Sequence, residues 1–229
     1  MRIILSIMAL SRIQTAILEV LARSPLKNRF YWTGGTLLAE KYLHHRKSYD
    51  VDLFTDDPFQ YEEIISLVQE VKKRVKLERV DEKKVHDRWE FFIHNHREVR
   101  FEFVRYQFPH LKPRQRWRGV LVDSLEDLAA NKTMALVERH EPKDAVDVYF
   151  LITKAKLTPR RLLKLVDKKF GLPMDEDTFL GEALRAAKRL SEIQPMLNGS
   201  SRTQEKTLEE IRSYFNDISA EFLRRRIGD

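Results

Sequence analysis

The chain has 229 residues, of which 42% are hydrophobic, so it can bury a core as one large domain or two small ones. It contains no cysteine, which excludes disulfides, thiolate nucleophiles and thiolate zinc sites and is most simply explained by a cytoplasmic location. A formal net charge of +7 indicates a moderately basic protein that favours polyanionic ligands such as nucleic acid or nucleotide phosphates.

The first part of the chain predicts a helix, a strand and a glycine turn. Residues 1–10 are mostly apolar, but the run is too short for a membrane span and too weakly basic for a signal peptide. Apolar residues continue at helical spacing to Leu21, which predicts a buried helix that ends before Pro25. An aromatic strand over 29–33 then leads through a Gly-Gly turn into a short helix over 36–43.

The middle of the chain predicts an antiparallel or mixed sheet. Polar and apolar residues alternate over 49–54 (YDVDLF), which is the period of a half-buried strand. The pattern beyond it predicts one helix, three strands and a hairpin turn between the last two strands: 59–71, 76–80, 89–94, 98–106 and the turn 95–97.

The rest of the chain predicts helices. Ser124 with Asp127 resembles a capping box at the start of one helix, and a second helix is expected over 143–153. Three further helical patterns follow. We therefore predict an α+β fold with a mixed sheet flanked by helices in domain 1–154, followed by a helical C-terminal region, 155–229.

Asp50 and Asp52 are the first candidate functional residues. They stand two apart in a predicted strand, so both carboxylates project from the same face. Two adjacent carboxylates repel each other, and Mg²⁺ commonly binds one or two such groups together with substrate phosphates. The pair therefore predicts a metal site, although a bare Asp-x-Asp is more often a solvated strand face.

Gly34 and Gly35 open the short helix just upstream. Backbone N–H groups at a helix N-terminus form a natural phosphate site, glycine allows close approach, and the Thr36 hydroxyl adds a donor. Gly-Gly alone more often marks a plain turn. Together with the acidic strand, it predicts a phosphate cradle beside a metal.

Two more charged positions extend this site. Glu102 completes a three-carboxylate metal site if its strand lies beside that of Asp50 and Asp52; the alternative is an ion pair with Arg100 or Arg105. Lys132 falls on the apolar face of a helix and needs an anionic partner. An NTP phosphate meets that need, and so does Asp144 or Asp147 of the next helix.

Four segments in this order resemble the successive motifs of the AbiEii/AbiGii-type nucleotidyltransferases, within the DNA polymerase β-like superfamily: WTGGTLLA, HRKSYDVDLF, ANKTMALVER and KDAVDVYFL. The match spans residues 31–151. It implies a polymerase β-like core, the use of NTP and Mg²⁺ (or Mn²⁺), and often a role as the toxin of a bacterial toxin–antitoxin or phage-defence pair.

The resemblance also implies roles for individual residues. The metal pair corresponds to Asp50 and Asp52, with Glu102 as a third ligand where Asp is common, and Asp144 corresponds to an acidic residue with a part in catalysis. The nucleotide-binding positions are Gly34, Gly35, Thr36, Lys132 and Arg139. The turn reads Gly-Gly-Thr where many members have Gly-Ser.

We therefore predict an NTP-dependent nucleotidyltransferase whose acceptor is an RNA, such as the end of a tRNA, or a protein, and whose partner is a cognate antitoxin. The alternative is a catalytically silent protein of the same fold that binds nucleic acid or a partner protein. The segment 105–118 mixes basic and aromatic residues that suit phosphate contacts and base stacking; the competing interpretation is a loop whose aromatic side chains pack into the core.

Overall fold

The computed structural model describes residues 10–94 and 98–228. The first residues of the predicted N-terminal helix and the predicted turn at 95–97 lie outside this part. The chain forms two compact units: the sheet unit, residues 1–44 and 48–128, and the helical unit, residues 45–47 and 129–229. This division falls within one helix, and the domain boundary proposed from composition, at residue 154, stays a prediction.

The sheet unit contains seven strands in the order β3-β4-β5-β2-β1-β7-β6. β2 runs parallel to β5 and β1 parallel to β7, while the other neighbours are antiparallel, so the sheet is mixed, as predicted. The strands are β1 Tyr31–Thr33, β2 Val51–Thr55, β3 Asp81–Val85, β4 Arg88–Ile93, β5 Val99–Arg105, β6 Gln115–Trp117 and β7 Val120–Val122.

Among the residues that the structure describes, the helices of the sheet unit are α1 Arg12–Arg23, the 3-10 segment Pro25–Asn28, α2 Gly34–Leu37, which continues as a π-helical segment Leu38–Leu43, α3 Tyr61–Val75 and the first turn of the helix that starts at Leu125. Ser11 caps α1 in a capping box with Gln14. The apolar residues of α1 repeat at helical spacing and are buried, among them Ile17 and Leu21, and the helix ends before Pro25 as predicted.

The helical unit contains residues 45–47 and most of α4 Leu125–Arg139. Its other helices are α5 Pro142–Thr153, α6 Pro159–Phe170, α7 Glu176–Ala187, the 3-10 segment Leu190–Met196 and α8 Ser201–Ile227. The Ser124 hydroxyl accepts from the Asp127 amide at 3.0 Å, so the helix start predicted there is confirmed. No described helix combines the length and apolar character needed to cross a membrane.

One predicted strand is wrong. The segment 76–80 contains no strand, because α3 continues to Val75 and the chain then turns at Lys76, whose φ of 58° is left-handed. The edge strand β3 begins only at Asp81. The apolar residues of 71–80 fit the end of a helix as well as a strand, and the lengths of the two elements decide between them.

Candidate functional site

Four carboxylates form an acidic cluster on one face of the sheet. Asp52 of β2 pairs in register with Glu102 of β5, and Glu102 pairs with Glu90 of β4. Residues opposite each other on neighbouring strands project to the same face, so these three acids form a row. Asp50, just before β2, is the fourth member. The sequence made Glu102 a third ligand on the condition that its strand lies beside that of the metal pair, and the pairing of β2 with β5 meets this condition.

The Arg100 side chain lies among these carboxylates. Its Nη2 is 3.1 Å from Asp50 Oδ2 and 4.0 Å from Asp52 Oδ1. Its Nη1 is 3.0 Å from Glu90 Oε1 and 3.4 Å from Glu102 Oε2. The Arg100–Glu102 pair that the sequence left open as an alternative thus forms, and the same arginine also faces the metal pair.

The acidic cluster keeps an excess of negative charge. A second arginine, Arg88, lies 3.4 Å from Glu102 and 3.7 Å from Glu90. Two guanidinium groups thus face four carboxylates, so acidic groups outnumber the cations in this cluster. Glu102 is only 4% exposed, and burial, then the Asp52 carboxylate, raise its pKa to about 7 against the lowering effect of Arg100.

Gly34 brings the backbone of the turn against the Asp52 side chain. Its φ is +78°, and a Cβ added there would lie 1.6 Å from Asp52 Oδ2. Only glycine allows this approach, because a side chain would occupy the place of the carboxylate. The predicted proximity of the Gly turn and Asp52 is present, while the role of Gly34 and Gly35 in binding phosphate stays a prediction.

The Thr36 hydroxyl, predicted to donate to a phosphate, contacts other groups of the protein. Its side chain is buried, its Oγ1 lies 2.9 Å from Ser48 Oγ, and it donates to the backbone carbonyl of Asp50. These contacts tie the start of the helix to the segment that enters β2. A contact of Thr36 with a phosphate stays a prediction.

The acidic cluster fits a divalent cation by the chemistry of its donors. Carboxylate oxygens are the ligands that Mg²⁺ prefers, the carboxylates outnumber the arginines that face them, and the absence of a side chain at Gly34 leaves room for the Asp52 carboxylate. Within residues 10–94 and 98–228, however, no three acidic or His side chains gather closely enough to hold a metal by themselves. Glu102 as a third ligand therefore stays a prediction.

The helical unit contains a second group, the lysine cluster. Lys132 of α4 is buried, and its Nζ lies 2.9 Å from Asp144 Oδ1 and 2.8 Å from Asp147 Oδ2, both on α5. Arg139 donates from Nε to Asp144 Oδ2 at 2.7 Å and from Nη2 to Oδ1 at 3.0 Å. Of the partners that the sequence allowed for Lys132, both aspartates are thus in contact.

Asp147 also binds two residues that lie just before the metal pair in sequence. Arg46 donates to Asp147 Oδ1 at 2.7 Å and to Oδ2 at 2.8 Å, and His45 Nε2 donates to Oδ1 at 2.6 Å. Three cations, Lys132, Arg46 and Arg139, therefore face two carboxylates. The lysine cluster carries an excess positive charge, and Arg139, 48% exposed, is its accessible member.

The buried cations and acids hold each other charged. Burial acts to lower the Lys132 pKa, but Asp144 and Asp147 outweigh it, so this pKa lies above its usual value. Burial would raise the pKa of Asp144, yet Lys132 and Arg139 bring it below its usual value. A carboxylate with a lowered pKa is a weak base, which suits Asp144 to orienting the two cations rather than to accepting a proton.

The segment 105–118 packs its aromatic residues inward. Trp117 stacks on the buried Trp32 with ring centroids 5.6 Å apart, and Tyr106 contacts the Phe54 ring at 4.9 Å. Arg114 forms a two-bond ion pair with Asp56, each bond 2.7 Å, and lies over a tyrosine ring of β1. The contacts favour the core interpretation of this segment, although Phe108 is largely exposed.

Sequence reasoning did not identify Arg46, His45 or Asp123. Asp123 is buried at the end of β7 and accepts from Thr33 Oγ1 at 2.7 Å. A buried charged residue needs a partner, so the pair of Arg46 and Asp147 would follow once both residues are known to be buried. The local sequence pattern does not show that a loop arginine such as Arg46 is buried. The predicted site residues fall into two groups, one in each compact unit.

Comparison with known proteins adds three findings. A family model described as "Nucleotidyl transferase AbiEii toxin, Type IV TA system" matches residues 16–224. The uncharacterized protein aq_aa25 of Aquifex aeolicus (strain VF5) is 30% identical over 165 residues, which are 70% of this chain and 76% of that protein. JHP933 from Helicobacter pylori has a similar structure, with a TM-score of 0.59 and 16% identity, covering 95% of this chain and all of that one.

A second Helicobacter pylori structure has a TM-score of 0.54 and 17% identity, with 92% of this chain and 94% of that chain covered. At such identities the likeness concerns the fold alone. Together with the family match, it confirms the predicted α+β, polymerase β-like nucleotidyltransferase fold.

Proposed function

The chain belongs to the AbiEii nucleotidyl transferase toxin family, and we propose that this nucleotidyltransferase uses Mg²⁺ to transfer a nucleotide from an NTP to an RNA acceptor. The observation that carries the proposal is the pair Asp50 and Asp52 in a cluster with excess negative charge, with the Asp52 carboxylate against the Gly34 backbone. In this assignment Asp50 and Asp52 hold the metal, and Glu102 is the third ligand.

Mg²⁺, when bound, neutralises the charge that develops on the triphosphate during transfer. The protein's own groups position the substrate. The turn at Gly34, Gly35 and Thr36 offers backbone donors to the phosphates, and Lys132 and Arg139 supply positive charge to the nucleotide. Asp144 orients these two cations, which the bonds from both to its carboxylate support.

The biological role in this proposal is that of a toxin with a cognate antitoxin in the cytoplasm. Family membership supports the toxin role, because the family description names a type IV toxin–antitoxin system. An RNA, such as the end of a tRNA, is the acceptor in this proposal, since the formal net charge of +7 favours a polyanion. A protein acceptor is the other outcome of the test below.

The test is transfer of radioactive label from each of the four NTPs, with Mg²⁺, to the components of a cell extract. We expect label on RNA, removed by ribonuclease, with one NTP preferred; label removed by protease instead identifies a protein acceptor. Asp52→Ala should abolish transfer, while Glu192→Gln, an exposed change in the helical unit, should not alter it. Equal background from wild type and Asp52→Ala with every NTP would falsify the enzymatic proposal.

A second measurement separates nucleotide binding from catalysis. The preferred NTP with Mg²⁺ should raise the melting temperature, because a ligand that binds only the native state stabilises it by about 2.7 kcal/mol at one hundred times its Kd. Arg139→Gln should weaken this shift, since the accessible cation of the lysine cluster is lost. A shift unchanged in Arg139→Gln excludes Arg139 from the nucleotide site.

A further inference from the structure

The Arg100 guanidinium lies directly against the carboxylates of the proposed metal pair. One nitrogen of its guanidinium, Nη2, faces both members of the metal pair, at 3.1 Å from Asp50 and 4.0 Å from Asp52. The other, Nη1, faces Glu90 and Glu102. The side chain is 28% exposed, so it is partly shielded from solvent in this position.

The charge of Arg100 is well maintained there. Burial acts to lower its pKa, but the carboxylates of Glu102 and Asp50 raise the pKa above the usual value. The group is therefore a permanent cation among four acids. It supplies part of the positive charge that a metal ion would bring to the same oxygens.

A separate observation shows that Arg100 does not satisfy the cluster completely. Glu102 Oε2 is buried and has no hydrogen-bond partner, although Arg100 and Arg88 each lie 3.4 Å from it. A buried carboxylate oxygen without a hydrogen bond is costly. Together with the surplus of carboxylates over arginines, this indicates that the cluster is organised for a further cation.

We propose that Arg100 is an internal counter-cation that competes with the divalent metal for Asp50 and Asp52, and so sets the metal affinity of the site. The inference rests on the proposed function for the identity of the metal pair. Metal binding then requires the Arg100 guanidinium to move from Asp50 and Asp52, and in the metal-free protein Arg100 compensates these acids only in part.

The test is a calorimetric titration with Mn²⁺ in the absence of NTP. Arg100→Gln should bind Mn²⁺ at least about tenfold more tightly than wild type, because one positive charge close to both metal ligands is removed. Arg88→Gln is the matched control. It removes the same charge from the same sheet face, from a residue paired with Glu90 and Glu102, and should change the affinity much less.

Asp52→Asn distinguishes the two proposals. If Asp52→Asn loses Mn²⁺ binding while wild type and Arg100→Gln bind equally, the metal pair stands and the Arg100 proposal alone is overturned. If Asp52→Asn binds Mn²⁺ as wild type does, the metal site lies elsewhere, and both the metal-pair proposal and the Arg100 proposal fail. Absence of binding in both wild type and Arg100→Gln also overturns the Arg100 proposal.

Thermal melting separates competition from a purely structural role. Arg100→Gln should melt below wild type in EDTA, because four carboxylates then repel each other, and saturating Mg²⁺ should close most of that gap. A gap of the same size in EDTA and in Mg²⁺ contradicts the proposal. A variant that fails to fold even in Mg²⁺ contradicts it too, since the metal would then not replace the missing charge.

Discussion

The acidic cluster of the sheet unit and the lysine cluster of the helical unit differ in the sign of the charge that is in surplus. On the sheet, four carboxylates face two arginines, so acidic groups are in surplus. In the helical unit, three cations face two carboxylates, so basic groups are in surplus. The acidic cluster therefore suits a cation, and the lysine cluster suits an anion.

The lysine cluster is also much more tightly paired. Asp147 is completely buried and accepts from Arg46 and His45 while contacting Lys132, whereas Asp50 is partly exposed and faces one arginine. A buried network with several ion pairs on each carboxylate resists change, while a partly compensated and partly exposed cluster can exchange one cation for another. We infer that the lysine cluster is a fixed frame and the acidic cluster is the adjustable part.

The largest expected effect comes from breaking the fixed frame. Asp147→Asn removes the negative charge that Arg46 and Lys132 share, so it should lower the free energy of unfolding by about 3–5 kcal/mol. Urea unfolding followed by circular dichroism measures this. Glu192→Gln, which breaks the exposed pair with Arg189, should be neutral within error. Similar small losses in both variants would show that the lysine cluster is not a cooperative network.

An intermediate effect is expected where the backbone meets the acidic cluster. Gly34→Ala should cost about 3 kcal/mol, because it combines a left-handed backbone with a collision against the Asp52 carboxylate. It should also weaken Mn²⁺ binding. Gly171→Ala has a similar φ of +65° but open space around it, so it should cost only about 1 kcal/mol. Equal losses at the two positions would contradict a role for close approach at Gly34.

The smallest effect is a pH dependence of the acidic cluster. The pKa of Glu102 is raised to about 7, so the folded state binds its proton more tightly than the unfolded chain does. The stability linked to this proton is present at pH 4 and is lost as the pH rises through 7. Glu102→Gln, which mimics the protonated acid, should therefore be about 1–2 kcal/mol more stable than wild type at pH 8 but not at pH 4.

Urea titrations of both proteins at the two pH values measure this difference. A Glu102→Gln variant less stable than wild type at pH 8 would mean that the contacts of Glu102 with Arg88 and Arg100 outweigh its burial.

Much of the fold was accessible from local patterns. The alternation in 49–54 predicts that Asp52 and Phe54 lie on the face opposite to Val51 and Leu53. The burial of side chains along β2 alternates in the same way. The helix start at Ser124 follows from capping chemistry, while the capping box at Ser11 was not recognised in the sequence. The strand predicted at 76–80 failed because Val75 and the residues after it satisfy both periods, and no local rule shows where a helix stops.

The candidate site was accessible only in part. The sequence indicated Asp50, Asp52 and Glu102 because acids recur on strands, and it indicated Lys132 because a cation fell on an apolar face. It did not single out Arg100 as the cation that faces the metal pair. That contact joins residues fifty apart in sequence, and it depends on the register between β2 and β5.

The sequence by itself determined the types of chemical group at the site and the order of the motifs, because residue identity and spacing along one helix or strand are local properties. Tertiary structure decided which charges compensate each other. The folded chain surrounds Arg100 with four acids, and it surrounds Lys132 with two aspartates. The energy of a buried charge depends on groups within a few ångströms, and only the folded chain brings these groups together.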